Sequence, residues 1–310
     1  MIKTKKGYTK LKGKIWGINR AEIKKNDYTS KLGFGLQTAK DNSIFVNLEA
    51  WNNSKNVAIM RDGQFTLIPF AEKDNLLEGD KLLGVTMKYS EDMNNITLVD
   101  IEALPEIKNN FKDGQTVFIK CNIQADDYTK GFKNNIQQIY ISSEELDFKS
   151  DDFTETNDST VEVILLDKSD AKNGIIIVGA TDSRDKLVEI ELTLKDEDVI
   201  NFFTSTAKKG DLLKLQLKMV HKPKYKKVDD DTQEQKEDSK PSLIKGKIQT
   251  KHNNFKFVQD GHEDYIEVID CLSREEQKYS SSEIQEALYG DNSGIVENEN
   301  SNDDEEDLPF

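Results

Sequence analysis

Basic and aromatic side chains alternate near the start of this 310-residue sequence. Residues 1–40 contain eleven Lys and Arg residues against two acidic ones. Lys12, Lys14 and Trp16 occupy every second position of a β-rich segment, so an extended strand places all three on one face. Ammonium groups attract anionic groups such as phosphates, and an indole offers a flat face on which other rings stack. This segment therefore has the chemistry to hold a polyanion that carries planar rings.

The last eight residues combine acidic and apolar chemistry in a different way. A pocket could take the Phe310 ring while Arg or Lys pairs with its terminal carboxylate and a basic rim attracts the preceding acids. Such a terminus could also serve solubility alone, but the three apolar residues at its end favour a peptide ligand. The eight residues are Asp303, Asp304, Glu305, Glu306, Asp307, Leu308, Pro309 and Phe310.

The net charge of −15 and the isoelectric point near 4.8 argue, taken alone, against a nucleic-acid partner. The charge is unevenly spread, however, because residues 291–310 carry eight acids and no Lys or Arg. This segment is rich in Asn, Ser and acids and has little to bury, so we expect it to be disordered. More than half of the net negative charge therefore comes from the tail, and it does not show that a binding surface elsewhere in the chain is acidic.

Several classes of protein are excluded by the sequence. Its longest uninterrupted apolar stretch, Ile175–Val178, is far shorter than the roughly 20 residues that span a membrane. The basic start at Lys3–Lys6 has no apolar run behind it, which argues against a signal peptide. Cys121 and Cys271 are too few for a disulfide framework. We therefore expect a protein of the cytoplasm without a membrane partner.

Short alternating strands, punctuated by Gly, Asn and Asp, dominate the first hundred residues. The Asp62-Gly63 pair predicts a hairpin turn. Pro105 and the Asn109-Asn110 pair mark a boundary, which gives a first domain at residues 1–106. The strands predicted in this domain are Leu11–Ile18, Leu32–Thr38, Ile44–Trp51, Val57–Met60, Phe65–Phe70, Lys81–Tyr89 and Ile96–Ile101.

A second β-rich domain is predicted at residues 107–272. It contains one short helix at Lys195–Ala207, which has acids in its first turn and precedes a strand opened by Gly210-Asp211. We expect a charged loop at 222–240, and a linker with the acidic tail at 273–310. The strands predicted in this domain are Thr116–Ile123, Ile136–Ile141, Val161–Leu166, Ile175–Val178, Leu187–Leu194, Asp211–Val220, 243–249, 255–259 and 264–271.

The predicted order of elements resembles the OB-fold, a five-stranded Greek-key barrel. It consists of short strands and one short helix, and the helix precedes a strand that begins at a Gly-Asp pair. SH3-like barrels and small sandwiches give similar patterns, so these alternatives stay open. A parallel α/β fold is disfavoured because amphipathic helices do not alternate with the strands. The predicted fold is mostly β, with tandem OB-fold-like small barrels, a short helix and a disordered acidic tail.

Asp303–Phe310 resembles the acidic tails of bacterial and phage single-stranded-DNA-binding proteins (SSBs), which end in Asp-Leu-Pro-Phe or Asp-Ile-Pro-Phe. The resemblance implies OB-fold domains, sequence-tolerant binding of single-stranded DNA, and a tail that recruits replication, repair and recombination proteins. Typical bacterial SSBs are shorter, with one OB domain and a linker rich in Gly, Gln and Pro that this chain lacks. The chain looks more like a divergent SSB of a phage or mobile element, which would act in the host bacterial cytoplasm. Its oligomeric state stays open, a homo-oligomer included.

Sequence-tolerant binding of single-stranded DNA needs cations for the phosphates and aromatic faces for the bases. Trp16 is the first candidate for stacking, with a role in the core as its alternative, and the same two roles are open for Trp51. Tyr128 and Phe132 belong to a loop that could also be a lid or a protein-binding segment. The predicted DNA-binding residues are Lys10, Lys12, Lys14, Trp16, Arg20, Lys24, Lys25, Tyr28, Lys31, Trp51, Arg61, Tyr128 and Phe132.

We find no motif for catalysis, for a cofactor or for a metal. A P-loop is absent, and His221, His252 and His262 lack the spacing of metal ligands, so they are interpreted as surface residues. We therefore expect a binding protein without enzymatic activity. The main alternative is a β-domain adaptor or decoy that captures repair enzymes with its tail and does not coat DNA. A nuclease is a more distant one.

Overall fold

The computed structural model describes residues 2–228 and 256–290, and the chain within them is mostly β, as predicted. One helix, α1 (Asp100–Asn110), lies among the strands of residues 7–141. Those strands are β1 (Gly7–Trp16), β2 (Lys24–Lys25), β3 (Thr29–Ala39), β4 (Asn42–Trp51), β5 (Asn56–Arg61), β6 (Gln64–Pro69), β7 (Lys81–Leu82), β8 (Val85–Lys88), β9 (Ile96–Leu98), β10 (Thr116–Asp126) and β11 (Gly131–Ile141).

Five of these strands close into a barrel. Strand β1 pairs with β3 and with β10, β3 pairs with β4, and β10 pairs with β11, all of them antiparallel. A parallel bridge between Asn47 of β4 and Asn135 of β11 completes the ring. This strand order, with α1 between the third and fourth strands of the ring, is that of an OB-fold.

The core of the first barrel follows from the alternation of its strands. Leu32, Phe34 and Leu36 of β3 point inward and are at most 2% exposed. Val46 and Leu48 of β4 are buried in the same cluster, as are the inward residues of β1. Because side chains alternate between the two faces of a strand, the residues between these positions face outward. In β1 this alternation puts Lys12, Lys14 and Trp16 on one face, as the sequence predicted.

The helix α1 is an element that we did not predict from the sequence. Pro105 lies inside it, although it was interpreted as a boundary. Proline has no N–H to donate and disfavours a helix interior, but Ala103, Leu104 and Ile107 are completely buried and hold the helix against the barrel. Asp100 and Glu102 in its first turn and Lys108 in its last turn also suit the helix dipole.

The first barrel therefore extends well beyond residue 106. Strands β10 and β11 close its ring, so the predicted division between residues 106 and 107 falls inside α1 and within this barrel. Residues 142–156 then connect β11 to the next strand. The predicted boundary differs from the structure because Pro105 and the Asn109-Asn110 pair lie inside α1, and the two strands that complete the barrel follow them.

A small separate sheet is inserted between β4 and α1. Strands β5 and β6 form a hairpin whose Asp62 and Gly63 both have positive φ, as the Asp-Gly signal predicted. Strand β7 pairs with the outer edge of β5. The sheet has its own apolar cluster around Val57, Ile59 and Ile68.

A second barrel of the same order follows the first. Its strands are β12 (Asn157–Asp167), β13 (Ile175–Thr181), β14 (Leu187–Leu194), β15 (Leu212–Val228) and β16 (Lys256–Glu275). They pair in the ring order β12, β13, β14, β16, β15, with only the β14–β16 pair parallel. The predicted helix is confirmed as α2 (Glu197–Asn201), continued by a π-helical turn at Phe202–Thr206. Asp196 caps α2 by accepting the backbone N–H of Asp198 at 2.9 Å.

The end of the second barrel differs from the prediction in three places. Residues 222–228 extend β15, so the predicted loop at 222–240 starts too early, and its remainder lies outside the described residues. A single long strand, β16, stands where two were predicted at 255–259 and 264–271. A helix, α3 (Ser281–Tyr289), lies in the predicted linker and packs Ile284 against Leu187 and Leu212. The predicted strand at 243–249 and the tail at 291–310 lie outside the described residues.

The two barrels are joined by both backbone and side chains. Strand β1 pairs with β12 along the register from Tyr8↔Thr160 to Leu11↔Asn157, and one continuous apolar cluster runs through both barrels. A half-buried carboxylate in the connecting segment, that of Glu155, bonds to both sides. It accepts hydrogen bonds from Thr38 at 2.5 Å and Asn42 at 2.7 Å, and it pairs with Lys218 of β15 at 2.7 Å.

Burial by itself would raise the pKa of Glu155. The hydrogen bonds from Lys218, Thr38 and Asn42 outweigh that effect and lower its pKa, so the carboxylate is held in its charged form. Asn42 also accepts the backbone N–H of His221 at 2.8 Å. The β3–β4 turn of the first barrel is therefore fixed against β15 of the second.

Candidate nucleic-acid interface

The outward faces of β3 and β4 form a flat strip on the first barrel. Strand β4 directs Phe45, Asn47, Glu49 and Trp51 outward, at every second position. Facing them on β3 are two glycines, of which Gly33 pairs with Asn47 and Gly35 with Phe45. Since glycine has no side chain, neighbouring side chains lie over these two positions, Asn47 over Gly33 and Trp16 over Gly35. In OB-folds this face, with the loops beside it, binds oligonucleotides.

One end of the strip carries two aromatic rings in contact. Gly35 lies between Trp16 of β1 and Phe45 of β4, its register partners on the two sides. The Trp16 indole lies directly over Gly35, in the space that any side chain there would occupy. Its ring meets that of Phe45 edge to face, with centroids 5.2 Å apart. Trp16 is 39% exposed and Phe45 53%, so both rings keep a free face.

Substitution of Gly35 should displace the indole. We expect Gly35→Val to destabilise the protein by about 1–3 kcal/mol, because the new side chain overlaps the Trp16 ring. In a Trp16→Ala background the same substitution should cost much less, because the overlap is gone. Urea unfolding of the four proteins, followed by far-UV circular dichroism, measures this coupling. An equal cost in both backgrounds would show that Trp16 does not lie over Gly35.

The row of rings continues from the first barrel onto the second. The Phe45 ring meets that of His221 of β15 edge to face at 6.2 Å, and His221 stacks on His262 of β16 at 4.6 Å with planes 13° apart. Asp264 accepts a hydrogen bond at Nδ1 of His221. Four rings, from Trp16 to His262, therefore cross the junction of the barrels. Sequence reasoning identified the two histidines only as surface residues, because nothing in the chain links positions 45 and 221.

The other end of the strip carries Tyr28 and Trp51. They are 71% and 68% exposed. The backbone N–H of Asn52 bonds to the Tyr28 carbonyl at 2.8 Å, which places the two aromatic residues at the same end of the β3–β4 hairpin. Asn26 shapes the turn before β3 by accepting the N–H groups of Tyr28 and Thr29 at 2.8 and 2.7 Å. At about 3.4 Å per residue, Phe45 and Trp51 lie about 20 Å apart along β4.

A groove of about 730 Å³ runs from this end of the strip towards the second barrel. Trp51 and Asn47 line it from β4, Lys31 from β3, Asn122 from β10, and Tyr128 from the turn between β10 and β11. Lys31 forms no ion pair among the described residues, although Glu49, its register partner on β4, also lines the groove. The groove thus offers an exposed indole, amide groups and a cation with no competing ion pair.

The turn between β10 and β11 has its charges paired. Asp127 binds Lys130 at 2.6 Å and Lys186 of the second barrel at 2.7 Å, and Asp126 binds Lys133 at 2.9 Å. The hydrogen bonds from Lys130 and Lys186 lower the pKa of Asp127 to about 2. These lysines therefore add little net charge to the groove, whereas the Tyr128 ring at the tip of the turn is 93% exposed.

The predicted lysines of β1 have different surroundings. Lys10 and Lys120 both lie over the Tyr8 ring, at 5.8 and 5.7 Å from its centroid. Lys12 pairs with Glu144, and Lys14 lies 5.5 Å from the centroid of the Phe148 ring. The connecting segment 142–156 thus covers Lys12 and Lys14, although they share the face of Trp16 as predicted. Further along the chain, Arg20, Lys24 and Lys25 are exposed and have no carboxylate partner among the described residues.

Two of the predicted DNA-binding residues make contacts away from the strip. Arg61 lies on the small separate sheet, where its guanidinium makes two hydrogen bonds to the carboxylate of Asp80 at 2.9 and 2.6 Å. Phe132 is half-buried and packs against the core of the barrels. Neither therefore lies on the outward face of the strip, because the contacts that hold them are made with residues distant in sequence; their role in DNA binding stays a prediction.

Neither a metal-binding group nor a membrane-spanning helix is found in the described part of the chain. No three His, Cys, Asp or Glu side chains in residues 2–228 and 256–290 are placed to hold a metal ion. No helix within those ranges is long and apolar enough to cross a membrane.

Comparison with known proteins gives distant similarity to solved structures only. No family model matches the sequence, and no curated protein does. Among solved structures, the chain is similar to the crystal structure of a deletion mutant of the single-stranded DNA binding protein from Thermus aquaticus. The sequences are 11% identical, the match covers 91% of this chain and 100% of that chain, and the TM-score is 0.40. A similarity this distant does not bear on function.

Proposed function

We propose that this chain binds single-stranded DNA without sequence preference and acts as a binding protein rather than as an enzyme. The observation that carries the proposal is the exposed ring system on the strip of β3 and β4, with Trp16 and Phe45 at one end and Tyr28 and Trp51 at the other. Every base has a flat π-face, so rings of this kind bind a single strand whatever its sequence.

Cations near the strip suit the phosphates of such a strand. Lys31 lines the groove, while Arg20, Lys24 and Lys25 lie in the segment between β1 and β3, one of the OB-fold segments that contact nucleic acid. None of them has a carboxylate partner among the described residues. Phosphates can therefore pair with them without breaking an existing ion pair, and binding should weaken as salt rises.

Intrinsic tryptophan fluorescence tests the proposal. Trp16 and Trp51 are the two tryptophans of the chain and both are exposed on the strip, so stacking of bases should quench their emission. We expect oligo(dT) to quench the tryptophan emission, and its band to shift in a gel when the protein is added. A duplex of the same length should show both effects much less. Absence of quenching and of a gel shift would overturn the proposal and favour the protein adaptor.

We further propose that Asp303–Phe310 is a peptide that binds replication and repair proteins through a pocket with a basic rim. The support is the sequence of these residues, which lie outside the described part of the chain. The eight acids of residues 291–310 also compete with DNA for the same cations.

Deletion of residues 291–310 should tighten oligo(dT) binding at low salt, and the difference should vanish at high salt. Fluorescence anisotropy of labelled oligo(dT) at several salt concentrations measures this. Phe310→Ala keeps every acid and should therefore bind DNA like the full-length protein, which makes it the matched control. Equal affinity of the deletion and the full chain at every salt concentration would contradict the competition.

A further inference from the structure

A cleft of about 470 Å³ lies between the two barrels, next to the groove. Phe45, Phe132 and Asn134 line it from the first barrel, and His221 and Tyr265 line it from the second. Its volume is in the usual range of small-ligand sites. Asn134 lines both the groove and the cleft, so the two spaces are neighbours at this residue.

Asn134 has a buried acceptor without a donor. Its side chain is 4% exposed, and its Nδ2 donates to the carbonyl of Phe45 and to Sδ of Met219, both at 3.2 Å. Because the Phe45 carbonyl can only accept, this fixes which end of the amide is the nitrogen. Oδ1 of Asn134 is buried and has no hydrogen-bond partner. Buried polar groups are nearly always paired, but this oxygen lacks a donor, and a small shift of the side chain towards the cleft would let a ligand supply one.

The other walls suit a flat and uncharged group. Phe45 and Tyr265 both line the cleft, and Tyr265 is held by Lys195, whose Nζ donates to the Tyr265 hydroxyl at 2.5 Å. Glu191 and Asp264 also line the cleft, and Lys130, its cation, is paired with Asp127. The carboxylates disfavour a phosphate inside the cleft, whereas a neutral ring with an N–H group meets a ring wall and a free acceptor.

We propose that this cleft takes one nucleobase of the bound single strand, turned out of the stack, with Oδ1 of Asn134 accepting an N–H from the edge of the base. The inference rests on the proposed function, because the strand must follow the strip to bring a base to the cleft. Every base carries an N–H donor on its pairing edge, and bases turned out of a strand are read there by hydrogen bonds and ring contacts. The cleft would therefore hold a base of any identity.

The first experiment replaces the acceptor. Asn134→Leu keeps the approximate size of the side chain and removes Oδ1, together with the Nδ2 that donates to the Phe45 carbonyl. We expect about 3- to 10-fold weaker binding of oligo(dT) by anisotropy, which is on the order of one lost hydrogen bond. Asn173→Leu makes the same change at an exposed position of the second barrel, away from the strip, and should bind like the unmodified protein.

Photo-crosslinking of the unmodified full chain gives a second test that does not depend on the variant folding. Oligonucleotides containing 5-iododeoxyuridine are irradiated in the complex, and the crosslinked residues are identified by mass spectrometry. A crosslink at Tyr265 is expected, because Tyr265 lines the cleft and does not belong to the ring row. Crosslinks confined to Trp16, Tyr28, Trp51 and His221 would overturn the base pocket and leave DNA binding intact. No complex at all would overturn the proposed function as well.

Discussion

Replacing Trp16 or Trp51 by alanine should weaken oligo(dT) binding by about 5- to 150-fold each, which corresponds to about 1–3 kcal/mol per stacked base. The two rings stand at opposite ends of a strip about 20 Å long, so each should stack on different bases. The losses should therefore be close to additive in the double variant. Anisotropy of labelled oligo(dT) is the suitable measurement, because the variants lose the intrinsic fluorescence signal.

Phe65→Ala is the matched control for these two variants. Phe65 is 66% exposed, like Trp51, but it lies on the small sheet outside the strip. We expect its affinity to equal that of the unmodified protein. If all three substitutions weakened binding alike, or if none did, stacking on the strip would be the wrong account of the interface.

Removing the carboxylate of Glu155 should have the largest effect on stability. We expect Glu155→Ala to lower the free energy of unfolding by about 2–4 kcal/mol, because Thr38, Asn42 and Lys218 all lose their shared acceptor. The substitution also loosens the β3–β4 turn from β15, so the ring row from Phe45 to His221 should lose its alignment. Affinity should then fall for long oligo(dT) that spans both barrels, and less for short oligo(dT). Urea unfolding and anisotropy with two lengths measure the two effects.

Glu145→Ala provides the control, since it changes an exposed glutamate of the same connecting segment. It should leave the unfolding curve unchanged. The pKa of Glu155 is lowered in the folded protein, so its contribution is complete above the pKa of an unfolded glutamate, about 4.3, and is lost as pH falls through the lower folded value. The stability difference between the unmodified protein and Glu155→Ala should accordingly shrink in acid. A difference that stayed constant to pH 2 would contradict the charged bridge.

Alternation of side chains along a strand predicted correctly that Lys12, Lys14 and Trp16 share one face of β1. Leu32, Phe34 and Leu36 are buried as their alternation suggests, and Trp16 and Trp51 are exposed on the outward positions of their strands. The hairpin at Asp62-Gly63 and the helix α2 follow from local signals that need no distant partner. Such features depend on a few neighbouring residues, which is why the sequence alone identifies them.

Features that depend on distant partners were missed. The α1 helix could have been found from the spacing of Leu104, Ile107 and Phe111, which repeats every three to four residues, but Pro105 obscured it. The pairing of Arg61 with Asp80 and the cover over Lys12 need the folded arrangement to be seen. The outward position of a side chain could therefore be predicted where one strand decides it, whereas its contacts could not be predicted where separate segments meet.

The most direct test of single-strand binding along the strip and across both barrels is a titration with oligo(dT) of increasing length at low salt. An OB-fold covers about 4–16 nucleotides, so two aligned barrels predict that affinity rises with length and levels off on the order of 10–30 nucleotides. Quenching of both tryptophans should accompany the plateau, because Trp16 and Trp51 lie on the same path. A chain that neither binds nor quenches with oligo(dT) of any length would contradict the account.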